Sequence, residues 1–130
     1  MGGEKELHTL LKTMKPKLND GDYVFCTVPA TSRIDLSEIV MVFNEHEAIT
    51  VVLKKERADK LNLSYTYIAS WITLTVHSSL EAVGFTATFS KALSDANIST
   101  NVVAAFFHDH LFVDKKDAQR AMEILNRFSE

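Results

Sequence analysis

The chain has 130 residues, 46% hydrophobic and 24% charged, with a net charge of −3. That length makes one compact domain or two very small ones sharing a core, and Lys and Arg are interspersed with acids rather than gathered in a basic stripe, which disfavours nucleic acid. No apolar run nears the roughly 20 residues of a membrane span, MGGEKELHTLL lacks a basic-then-apolar leader pattern, and the lone Cys26 cannot form an intrachain disulfide; the expectation is a cytoplasmic protein.

Residues 4–15 read as a helix, with Leu7, Leu10, Leu11 and Met14 on one stripe, stopped by Pro16. Asn19-Asp20-Gly21-Asp22 is a turn, and 23–28 (YVFCTV) is a strand in which Cys26 is a buried structural residue rather than a catalytic thiol. A loop over 29–36 leads to strands at 39–43 and 48–53 around the polar turn 44–47. Residues 54–61 form a short helix with Asn62 as its left-handed end, and 63–68 are extended. In WITLTVH, Ile72, Leu74 and Val76 alternate with Trp71, Thr73, Thr75 and His77, the period of a strand with one buried face.

Ser78-Ser79-Leu80-Glu81 then reads as a capping box opening a helix over 80–96, with Ala82, Phe85, Phe89, Ala92, Leu93 and Ala96 on its inner face and Asn97 closing it. Gly84 falls within the first two turns, where a glycine marks a close approach by another backbone or by a small molecule. A strand over 98–107, a turn at His108-Asp109 and a strand over 111–113 follow. Asp114 caps a final helix over 115–128, with the stripe Ala118, Ala121, Met122, Leu125 and Phe128. Trp71 and the eight Phe residues are read as core.

The halves echo each other. Each has a helix, a strand, and a strand running into a two-lysine helix start, at VVLKK and FVDKK. The first half lacks a leading strand and the second a closing one. The stretch 63–77 can serve as last strand of one unit and first strand of the next. Two βαββαβ units with antiparallel sheets and helices on one face satisfy the pattern, an α+β, ferredoxin-like arrangement.

Three chemistries are open to these residues. The helix start at Ser79–Glu81 suits a carboxylate or phosphate, unless the capping box satisfies its own N–H groups. His108-Asp109-His110, with His77 nearby, has the residue types of a metal site, but the ligand count is thin and a polar hairpin tip is the preferred reading, so no metal is assigned. Ser78 and Ser79 adjoin His77, yet neither a GxSxG elbow nor a Gly-rich phosphate loop is present, and no paired carboxylates stand out. The chain is therefore not read as an enzyme, and no cofactor is expected.

WITLTVHSSLEAVGFTATFSKAL and ISTNVVAAFFHDHLFV, with YVFCTVP and AITVVL in the first half, closely resemble the small tandem-ACT proteins of bacteria. The resemblance covers nearly the whole chain. It implies a first ACT-like unit over 1–69 and a second over 70–130, and a distant likeness to amino-acid sensors of the CASTOR type. Carried over by position, it implies a ligand site at His77, Ser78, Ser79, Val83 and Gly84, with Ser78-Ser79 where such regulators often show an acidic residue. The function implied is that of a small-molecule, amino-acid-binding regulatory protein, forming a homo-oligomer. The alternative is a structural oligomerisation protein with no ligand. On this reading Gly84→Val weakens binding while leaving the fold largely intact.

Overall fold

The computed structural model describes residues 6–29 and 34–130; the start of the expected first helix and residues 30–33 of the expected loop lie outside it. Leu7–Thr13 forms α1, its first turn capped by the Glu6 carboxylate, which accepts from the His8 and Thr9 N–H groups at 3.0 and 3.2 Å. α1 gives way at Met14, which is extended, two residues before Pro16. There follow β1 (Pro16–Leu18), β2 (Tyr23–Val28), a 3-10 turn (Leu36–Glu38), β3 (Ile39–Asn44), β4 (Ile49–Lys54) and α2 (Lys55–Lys60). Then come β5 (Ile68–Leu74), α3 (Phe85–Asp95), β6 (Thr100–Ala104), β7 (Asp109–Asp114), a 3-10 turn (Lys115–Asp117) and α4 (Ala118–Asn126). Asn62 sits at φ +58, the left-handed end expected for α2, and Asn97, expected to close α3, is also left-handed at φ +62.

The chain folds as two compact units. One is contiguous, Asp20–Ala69; the other is split, holding the chain up to Asn19 and again from Ser70 to Glu130. In the contiguous unit the strand order is β3-β4-β2, with the first two residues of β5 as a fourth strand through Tyr23↔Ala69 and Val24↔Ile68. Val24, Cys26 and Val28 alternate with outward residues and close over Val51, Leu53 and Ala58. Burial pushes the Cys26 thiol pKa up, with the Asp59 charge adding to it, as suits an inert structural cysteine.

In the split unit the order is β1-β5-β7-β6. Ile72 and Leu74 of β5, and Leu111 and Val113 of β7, face Phe85, Phe89 and Leu93 of α3 and Ala121 and Leu125 of α4. Leu10 and Met14, both with no solvent exposure, complete this core. The strand β1 that closes the sheet was not expected from the sequence. It pairs antiparallel with β5 at Pro16↔Leu74, Lys17↔Thr73 and Leu18↔Ile72. Pro16 has no N–H to give the ladder, and the first residue of an outer strand is where a sheet tolerates proline. Thus α1 and β1, assigned by the sequence repeat to the first unit, are packed with Ser70–Glu130.

Each unit thereby holds four strands in the same order, with the strand that precedes its hairpin, β2 in one and β5 in the other, at an inner position. The two hairpins match over the four pairs next to their turns, and a bulge between Ile39 and Met41 sets the first apart beyond them. Asn44↔Ile49 ends one and Ala104↔Asp109 ends the other, each position sixty residues from its equivalent. Not every Phe is core. Phe85, Phe89 and Phe112 are buried, but Phe43, Phe106 and Phe107 are 62%, 64% and 63% exposed.

Candidate functional site

The residues singled out from sequence lie in one loop, 75–84, between β5 and α3. Its entrance is anchored by Thr75, whose N–H donates to the Lys15 carbonyl at 2.8 Å and whose hydroxyl donates to the same oxygen. Val76 N–H then donates to Leu74 O, and Ser78 N–H to Val76 O, each at 2.9 Å. These tight local bonds end the strand at Leu74, three residues short of the expected end at His77.

The expected capping box does not form. Glu81 N–H donates to the Ser79 hydroxyl oxygen at 3.1 Å, not to Ser78, and Ala82 N–H donates to the Ser79 carbonyl at 3.0 Å. The Ser78 hydroxyl instead donates to Ser79 O at 3.3 Å. Residue 79 makes its own turn, the local alternative that serine hydroxyls offer a backbone. Helix α3 consequently starts at Phe85, five residues after the expected start at Leu80, with Gly84 as its N-cap. Gly84 has φ +88 and no side chain to accept from the first-turn N–H groups. A Cβ at Gly84 would stand 3.4 Å from Leu7 Cδ2, so the close approach is by a side chain of α1.

The loop sorts the predicted residues into two classes. Ser78 and Ser79 are nearly buried, and the Ser79 O–H has no acceptor among the described residues. Val83 is 84% exposed, Leu80 is 67% exposed, and His77 is also exposed. The His77 ring lies 5.8 Å from that of Phe107 and 6.2 Å from that of Phe106, while the two Phe rings meet edge to face at 5.1 Å. Sequence reasoning missed this aromatic knob because two consecutive Phe residues read as strand interior.

The hairpin turn was also misplaced. It is formed by residues 105–108, closed by Ala105 N–H donating to His108 O at 3.0 Å, not by His108-Asp109. Asp109 and His110 are therefore the first residues of β7. The three polar residues diverge. The His108 ring Nδ1 lies 3.3 Å from Val76 O, tying the hairpin to the 75–84 loop. A carbonyl only accepts, so this nitrogen carries the proton. Asp109 is buried, which raises its carboxyl pKa against the pull of His108. His110 accepts at Nδ1 from Trp71 Nε1–H at 3.0 Å, with the Thr73 hydroxyl oxygen 3.1 Å away. Asn19 Nδ2 donates to that hydroxyl oxygen at 3.0 Å and to Trp71 O at 3.2 Å. Among the described residues no group of three or more His, Cys, Asp or Glu side chains converges as a metal site would require.

An indole N–H can only donate, so His110 is neutral with its proton on Nε2. Burial holds its pKa below the ordinary imidazole value, and the charge of His108 pushes the same way. A group whose folded pKa is depressed contributes stability that is complete above its unfolded value, about 6.5. That stability is lost as pH falls through the folded value. Thermal stability is thus expected to fall between pH 7 and pH 5, with a matching change in fluorescence of the lone Trp71. His110→Asn, which keeps an acceptor for the indole, is expected to flatten the profile. An unchanged profile in the variant would assign the loss to other groups. Asp109 acts in the opposite sense, because burial raises its folded pKa above its ordinary value.

No helix among the described residues is long and apolar enough to cross a membrane. No curated protein matches the chain. Among solved structures it is similar to a Vibrio cholerae protein of unknown function, described as a possible transport protein: 46% identity, 97% of this chain and 98% of that one covered, TM-score 0.85. An Agrobacterium tumefaciens protein shares 18% identity over 89% of each chain, with a TM-score of 0.69. The regulatory subunit of aspartate kinase from Thermus thermophilus shares 8% identity over 92% of this chain and 99% of that one, with a TM-score of 0.63. Those last two likenesses show the fold alone. ACT-domain sequence profiles match residues 2–70 and 67–127. With a ferredoxin-like α+β unit built twice and a profile matched to each half, the chain belongs to the ACT-domain family as a tandem pair.

Proposed function

We propose that this protein is a regulatory, non-catalytic module that binds a small amino acid at the loop between β5 and α3. The observation that carries the reading is the Gly84 cap. It leaves the first-turn N–H groups of an eleven-residue helix with no side-chain acceptor, next to the near-buried Ser79 hydroxyl. An α-carboxylate meets charge-assisted donors there. Ser78 and Ser79 supply hydroxyls, and Gly84, which has no capping side chain, leaves the first-turn N–H groups for the ligand. His77 and Val83 form the outer rim.

A ligand that binds only the folded chain raises its melting temperature, by about 2.7 kcal/mol of stabilisation at a hundredfold excess over Kd. A thermal-shift screen of the twenty amino acids at millimolar concentration is expected to single out one or a few. Ser79→Ala, which removes one hydrogen bond, is expected to weaken that ligand about two- to tenfold. A screen in which no amino acid shifts the transition removes the sensing proposal.

A second reading, an architectural protein without ligand, is favoured by the exposed Leu80, Val83, Phe106 and Phe107, since exposed apolar groups of this size mark interaction surfaces. Both readings include a homo-oligomer. Light scattering across dilution is expected to show a mass above 14.6 kDa that falls as the chain is diluted.

A further inference from the structure

The contiguous unit carries a cleft of about 310 Å³, lined by Gly21, Asp22, Lys54, Lys55, Glu56 and Asp59. That volume is at the lower end of the roughly 300–1,000 Å³ of small-molecule sites. The backbone shapes it. Gly21 turns at φ +101, and the Lys54 side chain crosses it, with Cε 3.5 Å from where a Cβ would stand. Lys55 N–H donates to Asp22 O at 2.8 Å, fixing the turn against the end of β4.

The charges in the cleft divide into engaged and unengaged. Lys55 Nζ donates to Asp59 Oδ2 at 3.0 Å, and the Tyr65 hydroxyl donates to Asp59 Oδ1 at 2.6 Å, so both Asp59 oxygens are taken. Lys54 and Glu56, by contrast, make no side-chain hydrogen bond or ion pair among the described residues. One ammonium and one carboxylate, two positions apart in sequence, are left facing a cleft.

The internal repeat shows that this charge is particular to the contiguous unit. β4 ends at Lys54 and β7 at Asp114, equivalent positions sixty residues apart. Asp114 turns its carboxylate onto its own chain, accepting from Lys116 N–H at 3.0 Å. At the same place the contiguous unit has a cation, which cannot accept. The split unit supplies its anion from within, and the contiguous unit presents a cation to an anion from outside.

The geometry points to a second binding site in this cleft, for a small zwitterion whose carboxylate rests on the Lys54 ammonium and whose ammonium rests on the Glu56 carboxylate. Exposed charge pairs are weak, so the affinity is millimolar. The cleft is lined by residues of the contiguous unit alone, and its proposal does not rest on the 75–84 loop.

The test is an amide NMR titration of the full chain with glycine as probe. Glycine is expected to shift the Gly21, Asp22 and 54–59 amides saturably, while acetate and methylammonium, each carrying half of its charge pattern, bind more weakly. Lys54→Gln and Glu56→Gln are each expected to weaken glycine about two- to fivefold. Ser79→Ala is expected to leave these shifts unchanged, separating this cleft from the loop site. Three results would overturn the proposal: no saturable shift at these amides, acetate binding as well as glycine, or variants that bind as the parent does.

Discussion

A fragment containing only residues 70–130 is expected to fail to fold, although it spans the second ACT-like repeat of the sequence. Without the preceding chain, β5 loses its pairing with β1 from Ile72 to Leu74. The core loses Leu10 and Met14, both with no exposure. Truncating one such side chain to Ala costs about 2–5 kcal/mol, so losing both approaches the roughly 5–15 kcal/mol that holds a small domain together. Circular dichroism and amide NMR of the fragment are expected to show no cooperative transition, and a peptide of residues 1–19 is expected to restore one. In the full chain, Leu10→Ala alone is expected to lower stability by about 2–5 kcal/mol in urea titration. A fragment that melts cooperatively by itself would show that β1 and α1 are accessory.

Gly84→Val is expected to destabilise the split unit by about 1–3 kcal/mol. This replaces the sequence-based expectation that the substitution would leave the fold intact. At φ +88 a β-branched residue is strained wherever its side chain points, and the new Cβ meets Leu7 Cδ2 at 3.4 Å. Gly84→Asn, which tolerates the left-handed region better, is expected to lose less. Urea denaturation of the three proteins decides the matter; a Val variant as stable as the parent would mean that the loop re-forms with another backbone conformation. Because the Val substitution damages the fold, Ser79→Ala is the cleaner probe of ligand binding.

What could be read from the sequence was local. The alternation in YVFCTV gives β2 with its observed bounds, because each inward residue meets the same apolar layer. The left-handed Asn62 was legible because asparagine is among the few residues that adopt that region, and Asn97 was legible as the close of its helix. Sharing β5 between the units was also within reach, since each half was one strand short. What was missed depends on partners distant in sequence. Pro16-Lys17-Leu18 has no pattern of its own and becomes a strand only against Leu74, Thr73 and Ile72. The turn at 105–108 carries Ala, Phe, Phe and His, none of them a turn former, so its hydropathy extended the strand past its real end. At the candidate site, His77, Ser78, Ser79, Val83 and Gly84 share the loop 75–84 because they are neighbours in sequence. The helix start was misplaced because Ser79 satisfies Glu81 N–H in a turn that resembles a capping box in one dimension.

The strand exchange at the N-terminus sets an order of events during synthesis. Asp20–Ala69 is uninterrupted and can collapse as soon as it leaves the ribosome, whereas α1 and β1, made earlier, have no partner until Ser70–Glu130 emerges. At about 5–20 residues per second that wait is on the order of ten seconds. For that interval a short amphipathic arm with Leu10 and Met14 uncovered is available to chaperones, or to the nascent sheet of a neighbouring chain.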